Sequence, residues 1–101
     1  MDAQSPSPKI IPIPNNFLLD HQNIPALNDL VFTLPSIPIP AHFIDYYPQL
    51  LDQIASDHHS RVLVVSREEM HRFPEQINVV PSLQEAYDII EMERIERELG
   101  L

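Results

Sequence analysis

The C-terminal part of the chain, residues 61–101, shows the clearest alternation of apolar and polar segments. Residues 61–66 contain a continuous apolar run, which is typical of a strand that is covered on both faces of a sheet. Residues 77–80 form a second strand-like run, and a short polar segment separates the two. A long amphipathic segment follows the second run. The order strand, short helix, strand, long helix predicts an α/β fold.

Two serines mark the starts of the predicted helices. Ser66 and Ser82 are each followed by a glutamate three residues later, which is the pattern of a capping box. The long helix is predicted over residues 83–99, and Gly100 is suited to end it because glycine adopts a left-handed conformation without strain. Within this helix, Glu93 and Arg97 have the spacing of an ion pair between successive turns.

The predicted long helix carries an apolar stripe that should pack on the sheet. Side chains three or four positions apart lie on one side of a helix. The stripe begins with Leu83, Ala86, Tyr87 and Ile90, and it continues, with a drift around the helix, through Met92, Ile95 and Leu99. The glutamates between these residues are expected to form a solvated face.

The first half of the chain is rich in proline, with nine of the eleven prolines at or before Pro48. Residues 1–8 are predicted to be a disordered tail. Residues 9–14 suit an edge strand, because proline cannot donate to a ladder and survives mainly at sheet edges. Residues 30–34 form another strand pattern, which Pro35 ends.

Residues 35–40 alternate proline with other residues and should therefore be extended and stiff. The simpler interpretation is a connection that packs Ile37 and Ile39 on the core, and the alternative is a recognition segment. Apolar residues then recur at helical spacing over residues 41–56. Pro48 interrupts this pattern, so it should either kink the helix or lie in its first turn.

These elements make one domain over residues 9–101. At 101 residues the chain is long enough for one modest hydrophobic core. We predict a small mixed sheet with central parallel strands at residues 30–34, 61–66 and 77–80, and with helices packed on it. The part before residue 30 is an abbreviated, proline-rich region.

The composition excludes several classes of active site. The chain has no cysteine, which removes disulfides, thiolate nucleophiles and cysteine metal sites. Its single glycine is Gly100, so the glycine-rich phosphate loops of Rossmann and P-loop proteins are excluded. The glycine-flanked serine of the nucleophile elbow is also missing.

The net charge of −9 argues against two kinds of partner. Nucleic acid and anionic membrane surfaces would be repelled, and no basic stripe offsets the imbalance. No apolar run is long enough to span a membrane, and the first residues lack the pattern of a signal peptide. We therefore expect a cytoplasmic protein whose partner presents a basic surface.

Residues 62–65, 77–86 and 89–99 resemble the C-terminal half of STAS domains, the modules of sulfate transporters and anti-sigma-factor antagonists. The resemblance extends over roughly residues 29–101. It implies a bacterial regulatory module in which a strand such as 30–34 leads to a phosphorylatable serine at a helix start. Here residues 37–43 contain neither that serine nor its glycine, and Ser36, at the strand end, is not expected to replace it.

One short segment has residue types that could bind a metal. Residues 57–59 read Asp-His-His, and carboxylates and imidazoles are zinc ligands. Adjacent residues cannot easily ligate one ion together, so a solvated turn is expected instead. We predict no catalytic residues, no metal and no cofactor.

The sequence thus predicts a non-enzymatic protein-interaction or regulatory module. We expect its partner site at Ile37, Ile39, His42 and Phe43, and a homodimer stays open. One alternative is a small-ligand-binding protein, or an accessory subunit of a larger complex, that uses its histidine-bearing loops. Another is a structural partner whose acidic C-terminal helix docks on a second chain. If Ile39 and Phe43 only close the core, their replacement should lower stability without a specific loss of binding.

Overall fold

The computed structural model describes residues 7–100 and contains one four-stranded parallel sheet. Its strands lie side by side in chain order: β1 (Lys9–Pro12), β2 (Leu30–Thr33), β3 (Arg61–Val64) and β4 (Val79–Val80). Helix α1 (Ala41–Gln53) connects β2 to β3, and helix α2 (Leu83–Glu98) follows β4. Two short 3-10 helices, His21–Asn23 and Arg67–Arg72, lie in the remaining connections.

The two helices cover opposite faces of the sheet. Successive residues of a strand point to opposite faces, so Phe32 and Val31 belong to different layers. Phe32 and Leu63 pack with α1, whereas Val31 and Val62 pack with α2. The strands are adjacent in chain order, so right-handed crossovers place all three connections, including α1, on the same face of the sheet. Helix α2 follows the last strand and is therefore free to cover the opposite face.

The predicted α/β domain is confirmed, and so are its parallel strands near residues 30–34, 61–66 and 77–80. Residues 9–12 also form the expected edge strand. The sheet is not mixed, however: β1 pairs with β2 in the parallel direction, so all strands of the described residues run the same way. Of the predicted tail, residues 1–6 lie outside the described residues.

Prolines protect the exposed edge of β1. The N–H groups of Lys9 and Ile13 donate inward, to Asp29 and Thr33, at 2.9 and 2.8 Å. The even-numbered positions therefore turn their nitrogens outward, and at positions 8, 12 and 14 that nitrogen belongs to proline and carries no hydrogen. Ile10 is left as the one outward donor of the strand, which makes pairing with a further strand unfavourable.

Helix α1 begins at Ala41, so Pro48 lies inside it and does not mark its start. Proline at this position has no N–H to give to the carbonyl group of Ile44. The helix compensates by its buried stripe, in which Phe43, Tyr47 and Leu50 are inaccessible to solvent. Burial of such side chains contributes roughly 1.5–3 kcal/mol each, comparable to the cost of an interior proline.

The two predicted capping boxes have different outcomes. Ser82 caps α2 as expected: its Oγ accepts from the N–H of Glu85 at 3.2 Å and donates to the Glu85 carboxylate at 2.9 Å. Gly100, with φ of +75°, follows the helix as expected. Ser66 precedes the short 3-10 helix but makes no side-chain cap, and Glu69 pairs with Arg72 instead.

The second half of α2 contradicts two expectations. Met92, Ile95 and Leu99 do not continue the core stripe; they are 57%, 47% and 67% exposed. Glu93 and Arg97 do not pair with each other, because both turn toward the sheet and contact Ser60. The first half of the helix packs Ala86 and Ile90 on the strands, but Leu83, the expected first residue of the buried stripe, is exposed.

Neither α1 nor α2 has the length and apolar content that crossing a membrane requires, and the same holds for the other helices of residues 7–100.

Tyr47 lies at the centre of an aromatic cluster on the α1 face. Its ring is 5.5–6.3 Å from those of Phe32, Phe43 and Phe73, in tilted or edge-on arrangements. Within residues 7–100 its buried hydroxyl has no hydrogen-bond partner. The neighbouring Tyr46 is different, because its hydroxyl donates to the carbonyl of Leu19 at 2.8 Å and accepts from the N–H of Leu19 at 3.3 Å.

The two adjacent tyrosines should respond oppositely to loss of the hydroxyl. Tyr47→Phe removes a buried group that makes no hydrogen bond, so the free energy of unfolding should rise by about 1 kcal/mol. Tyr46→Phe removes two hydrogen bonds and should lower it by about 1 kcal/mol. Urea unfolding of both variants at neutral pH measures the difference, and a loss of stability in Tyr47→Phe would show that its hydroxyl is satisfied.

Tyr47 should also make stability sensitive to alkaline pH. Burial raises the pKa of its hydroxyl, and the charge of Arg61 opposes this only in part. The folded protein therefore keeps this proton at pH values at which the unfolded chain, with a tyrosine pKa of about 10, loses it. Stability is unaffected by this difference below about pH 10 and falls as the pH rises above it. We expect the free energy of unfolding to fall less steeply between about pH 9 and pH 11 in Tyr47→Phe than in the wild type. Parallel pH profiles would contradict this.

Candidate functional site

A wide concave surface lies at the carboxyl ends of β2, β3 and β4. The chain leaves these strands through residues 33–39, 64–66 and Pro81, and a groove of about 780 Å³ lies between the three exits. We call it the carboxyl-end groove. In open parallel sheets ligands bind beyond the carboxyl ends of the strands, so the fold makes this the first candidate for a binding site.

The groove combines an apolar floor with a polar rim. Buried or half-buried side chains, among them Ile39, Val64 and Val65, line its base. The proline segment 35–40 forms one side, and Glu69 and Arg72 of the 3-10 helix form the other. Their side chains make an ion pair that stays about one-third exposed. Such a surface can take up apolar groups and orient a polar or charged group at the rim.

The four predicted partner residues have different environments. Ile37 and Ile39 both line the groove, but Ile37 is half-exposed whereas Ile39 belongs to the core. His42 is exposed in the first turn of α1 and does not line the groove. Phe43 is fully buried against Tyr47. Partner binding itself stays a prediction, and in this conformation Phe43 cannot contribute contacts to it.

The start of α1 has no hydroxyl. Pro40 is its N-cap residue and makes no side-chain hydrogen bond. Ser36 is exposed on the groove side of the segment. Among the residues that line the groove, Glu69 and Arg72 are the ionisable ones, and they pair with each other.

A second, smaller cleft of about 280 Å³ lies at the opposite end of the sheet. At its base the carboxylate of Asp29 is buried and accepts from the N–H of Ser60 at 2.7 Å and from Arg94 at 3.0 Å. Arg97 lies 3.7 Å from the same carboxylate. These polar contacts tie the amino ends of β2 and β3 to α2.

The hydroxyl of Ser60 extends this cluster. It donates to Glu93 and accepts from Arg97 at 3.3 Å. The other carboxylate oxygen of Glu93 accepts from the amide of Asn78 at 3.0 Å. The last turns of α2 are thus fastened to the sheet by ionic and polar contacts in place of apolar ones.

Arg61 lies at the same end of the sheet, on the face that α1 covers. Its guanidinium donates to the carbonyl oxygens of Ala26, Asn28 and Ile54 at 2.6–2.7 Å. Burial lowers the pKa of Arg61, and the nearby Asp29 carboxylate opposes that shift. The side chain joins the loop before β2, the end of α1 and the start of β3.

We call Asp29, Ser60, Arg61, Arg94 and Arg97 the amino-end cluster. No local sequence pattern indicates the whole cluster, because its members contact partners far away in the chain: Asp29 and Arg94 are separated by 65 positions. A structural role explains the cluster, since Asp29 already pairs with Arg94 and Arg97 and the Arg61 guanidinium already donates to three carbonyl groups. Asp29 is the clearest local signal, as a carboxylate directly before a buried strand.

The histidines beside the small cleft do not gather into a metal site. Residues 57–59 lie in a turn, as predicted, and the His59 ring is hydrogen-bonded to Ser56 at 2.8 Å. Within residues 7–100 no three side chains of metal-binding type come together. Ligand binding by the histidine-bearing loops stays a prediction.

Loss of the Asp29 charge should destabilise the fold. Asp29→Asn removes the buried carboxylate that two partly buried arginines share, so we expect the free energy of unfolding to fall by about 2–3 kcal/mol. Asp52→Asn, an exposed position of α1, is the matched control and should change it by less than about 0.5 kcal/mol. Urea unfolding at neutral pH compares them, and equal effects would contradict a structural role for the cluster.

Comparison of the chain with models of known protein families, with curated proteins and with solved structures finds no match. The resemblance of residues 29–101 to STAS domains stays a prediction.

Proposed function

We propose that the protein is a non-enzymatic interaction module that holds a short segment of a partner protein in the carboxyl-end groove. The observation that carries the proposal is the groove of about 780 Å³, with its apolar floor, the half-exposed Ile37 and the Glu69–Arg72 pair at the rim. Apolar side chains of the partner would be buried on the floor, and its polar groups would contact the ion pair.

The proline segment favours such binding. Pro35, Pro38 and Pro40 restrict the backbone on either side of Ile37. A wall that is already rigid loses little conformational freedom when a partner binds, which leaves more of the contact energy as affinity. The net charge of −9 favours a partner with a basic surface, because complementary charge speeds encounter.

A regulatory role is part of the same proposal and is supported by the resemblance to anti-sigma-factor antagonists. In that family this end of the sheet carries recognition. The phosphorylation switch is not included, because Pro40 and Ala41 stand at the start of α1. A cytoplasmic location belongs to the proposal too and is supported by the sequence pattern alone.

A small organic ligand is the second candidate occupant of the groove. The volume of about 780 Å³ falls within the range of roughly 300–1,000 Å³ that is usual for small-molecule sites. A ligand of that size would use the same apolar floor and the same ion pair.

Ile37→Ser tests the groove directly. The side chain is half-exposed, so its replacement should leave the fold intact while it weakens the partner complex by at least about tenfold. Leu27→Ser is the matched control, because Leu27 is 82% exposed and lies outside the groove. Affinity purification of both tagged variants and of the wild type from the native cell, with quantitative mass spectrometry, identifies the partner that only Ile37→Ser loses.

Titration with the purified partner then gives the change in affinity, and thermal unfolding confirms that both variants are folded. Retention of the partner by Ile37→Ser at wild-type affinity would place the interface elsewhere. Native mass spectrometry separates the two occupants: a small molecule carried by the wild type and lost in Ile37→Ser favours the second candidate.

A further inference from the structure

Helix α2 carries an apolar surface on the side that faces away from the sheet. Met92, Ile95 and Leu99 are 57%, 47% and 67% exposed, and their spacing of three and four places them on one side of the helix. At 3.6 residues per turn, this side lies about half a turn from the buried Ile90. We call these three residues the outer stripe.

Folding does not account for the outer stripe. The buried residues of α2 are Ala86 and Ile90, and the following turns attach to the sheet through Glu93, Arg94 and Arg97. The outer stripe is therefore additional to the residues that fasten the helix. Three large apolar side chains in a row on a solvent-facing helix mark a surface that another molecule covers.

The charges around the outer stripe have one sign. Asp88, Glu91 and Glu96 are exposed beside it. Both arginines of the helix approach the Asp29 carboxylate on the sheet side, and of these three acidic residues only Glu91 also lies near one of them, 3.7 Å from Arg94. The stripe is thus an apolar strip bordered by carboxylates.

The apolar stripe and its flanking carboxylates together indicate what kind of molecule would bind here. A second copy of the chain would bring carboxylates against carboxylates, which opposes association. The spacing of three and then four is that of a heptad seam, which fits the side of another helix. We propose that the outer stripe docks an amphipathic helix of another protein whose apolar residues are flanked by lysine or arginine.

This docking surface is separate from the carboxyl-end groove. None of its three residues lines the groove, and α2 packs on the face of the sheet opposite to α1. The inference holds whether or not the groove binds a partner, and the two can be tested separately.

The test uses two synthetic helical peptides of three heptads, with leucine at the a and d positions. One has lysine at the e and g positions and the other has glutamate there. Fluorescence anisotropy with the full chain at physiological salt should show that the lysine peptide binds at least about tenfold more tightly. Equal binding of the two peptides would overturn the basic character of the occupant.

Variants separate docking from simple charge attraction. The double variant Ile95→Gln with Leu99→Gln keeps the net charge and should weaken binding of the lysine peptide by at least about tenfold. Leu27→Gln, at another exposed leucine, and Ile37→Ser, in the groove, should leave it unchanged. Glu96→Gln should weaken it more than Glu75→Gln, an exposed glutamate outside α2.

Circular dichroism and thermal unfolding should show that the double variant folds as the wild type does, because both side chains are exposed. Wild-type affinity in the double variant would overturn the proposal, since the attraction would then be non-specific. Sedimentation should show a monomeric wild type. A dimer that the double variant dissociates would overturn it in favour of a second copy of the chain.

Discussion

The structure depends on two charged side chains at the amino ends of its central strands, the half-buried Arg61 and the buried Asp29. Arg61 begins β3 on the face covered by α1 and binds three carbonyl groups of the surrounding loops. Asp29 precedes β2 on the opposite face and binds Arg94 of α2. The two side chains attract each other through the end of the sheet. Both layers are therefore joined at one end, in a sheet whose strands are only two to four residues long.

Because the contacts of Asp29 and Arg61 hold the amino ends of these short strands, the carboxyl ends are available to form a binding surface. At the carboxyl ends the chain departs in three directions, and the segments diverge around the carboxyl-end groove. The groove needs no glycine loop, because its wall is shaped by prolines and its base by side chains that already belong to the core. Ile39 illustrates this double role, since it is a core residue that also lines the groove.

The elements that the sequence predicts well are those defined by local chemistry. The continuous apolar run at residues 62–65 indicates a strand, because a segment so short that is apolar at every position is typical of a strand buried on both faces of a parallel sheet. Ser82 with Glu85 fixes the start of α2. The direction of β1 is not a local property, so an apolar pattern could not distinguish a parallel from a mixed sheet. The burial of Phe43 likewise depends on Phe73, thirty positions away in the chain, which helical spacing cannot indicate, whereas the contact of Phe43 with Tyr47 follows from their spacing of four.

The largest error of sequence-based prediction occurs in the second half of α2, where the usual polarity is reversed. Periodicity assigns apolar residues to the inside, yet here Glu93 and Arg94 face the sheet and Ile95 faces solvent. Asp29 and Ser60 cause the reversal, because buried polar groups at the sheet end require polar partners.

The same reversal determines which way the helix faces. Rotation of the last turns by half a turn would bury the outer stripe, but it would also leave the Asp29 carboxylate without its arginines. Breaking this buried ion pair would cost about 3–5 kcal/mol. That offsets the burial of the exposed parts of the three side chains, since each full burial contributes roughly 1.5–3 kcal/mol and all three are already partly covered. The amino-end cluster therefore does more than hold α2 on the sheet: it keeps Met92, Ile95 and Leu99 on the outside of the molecule.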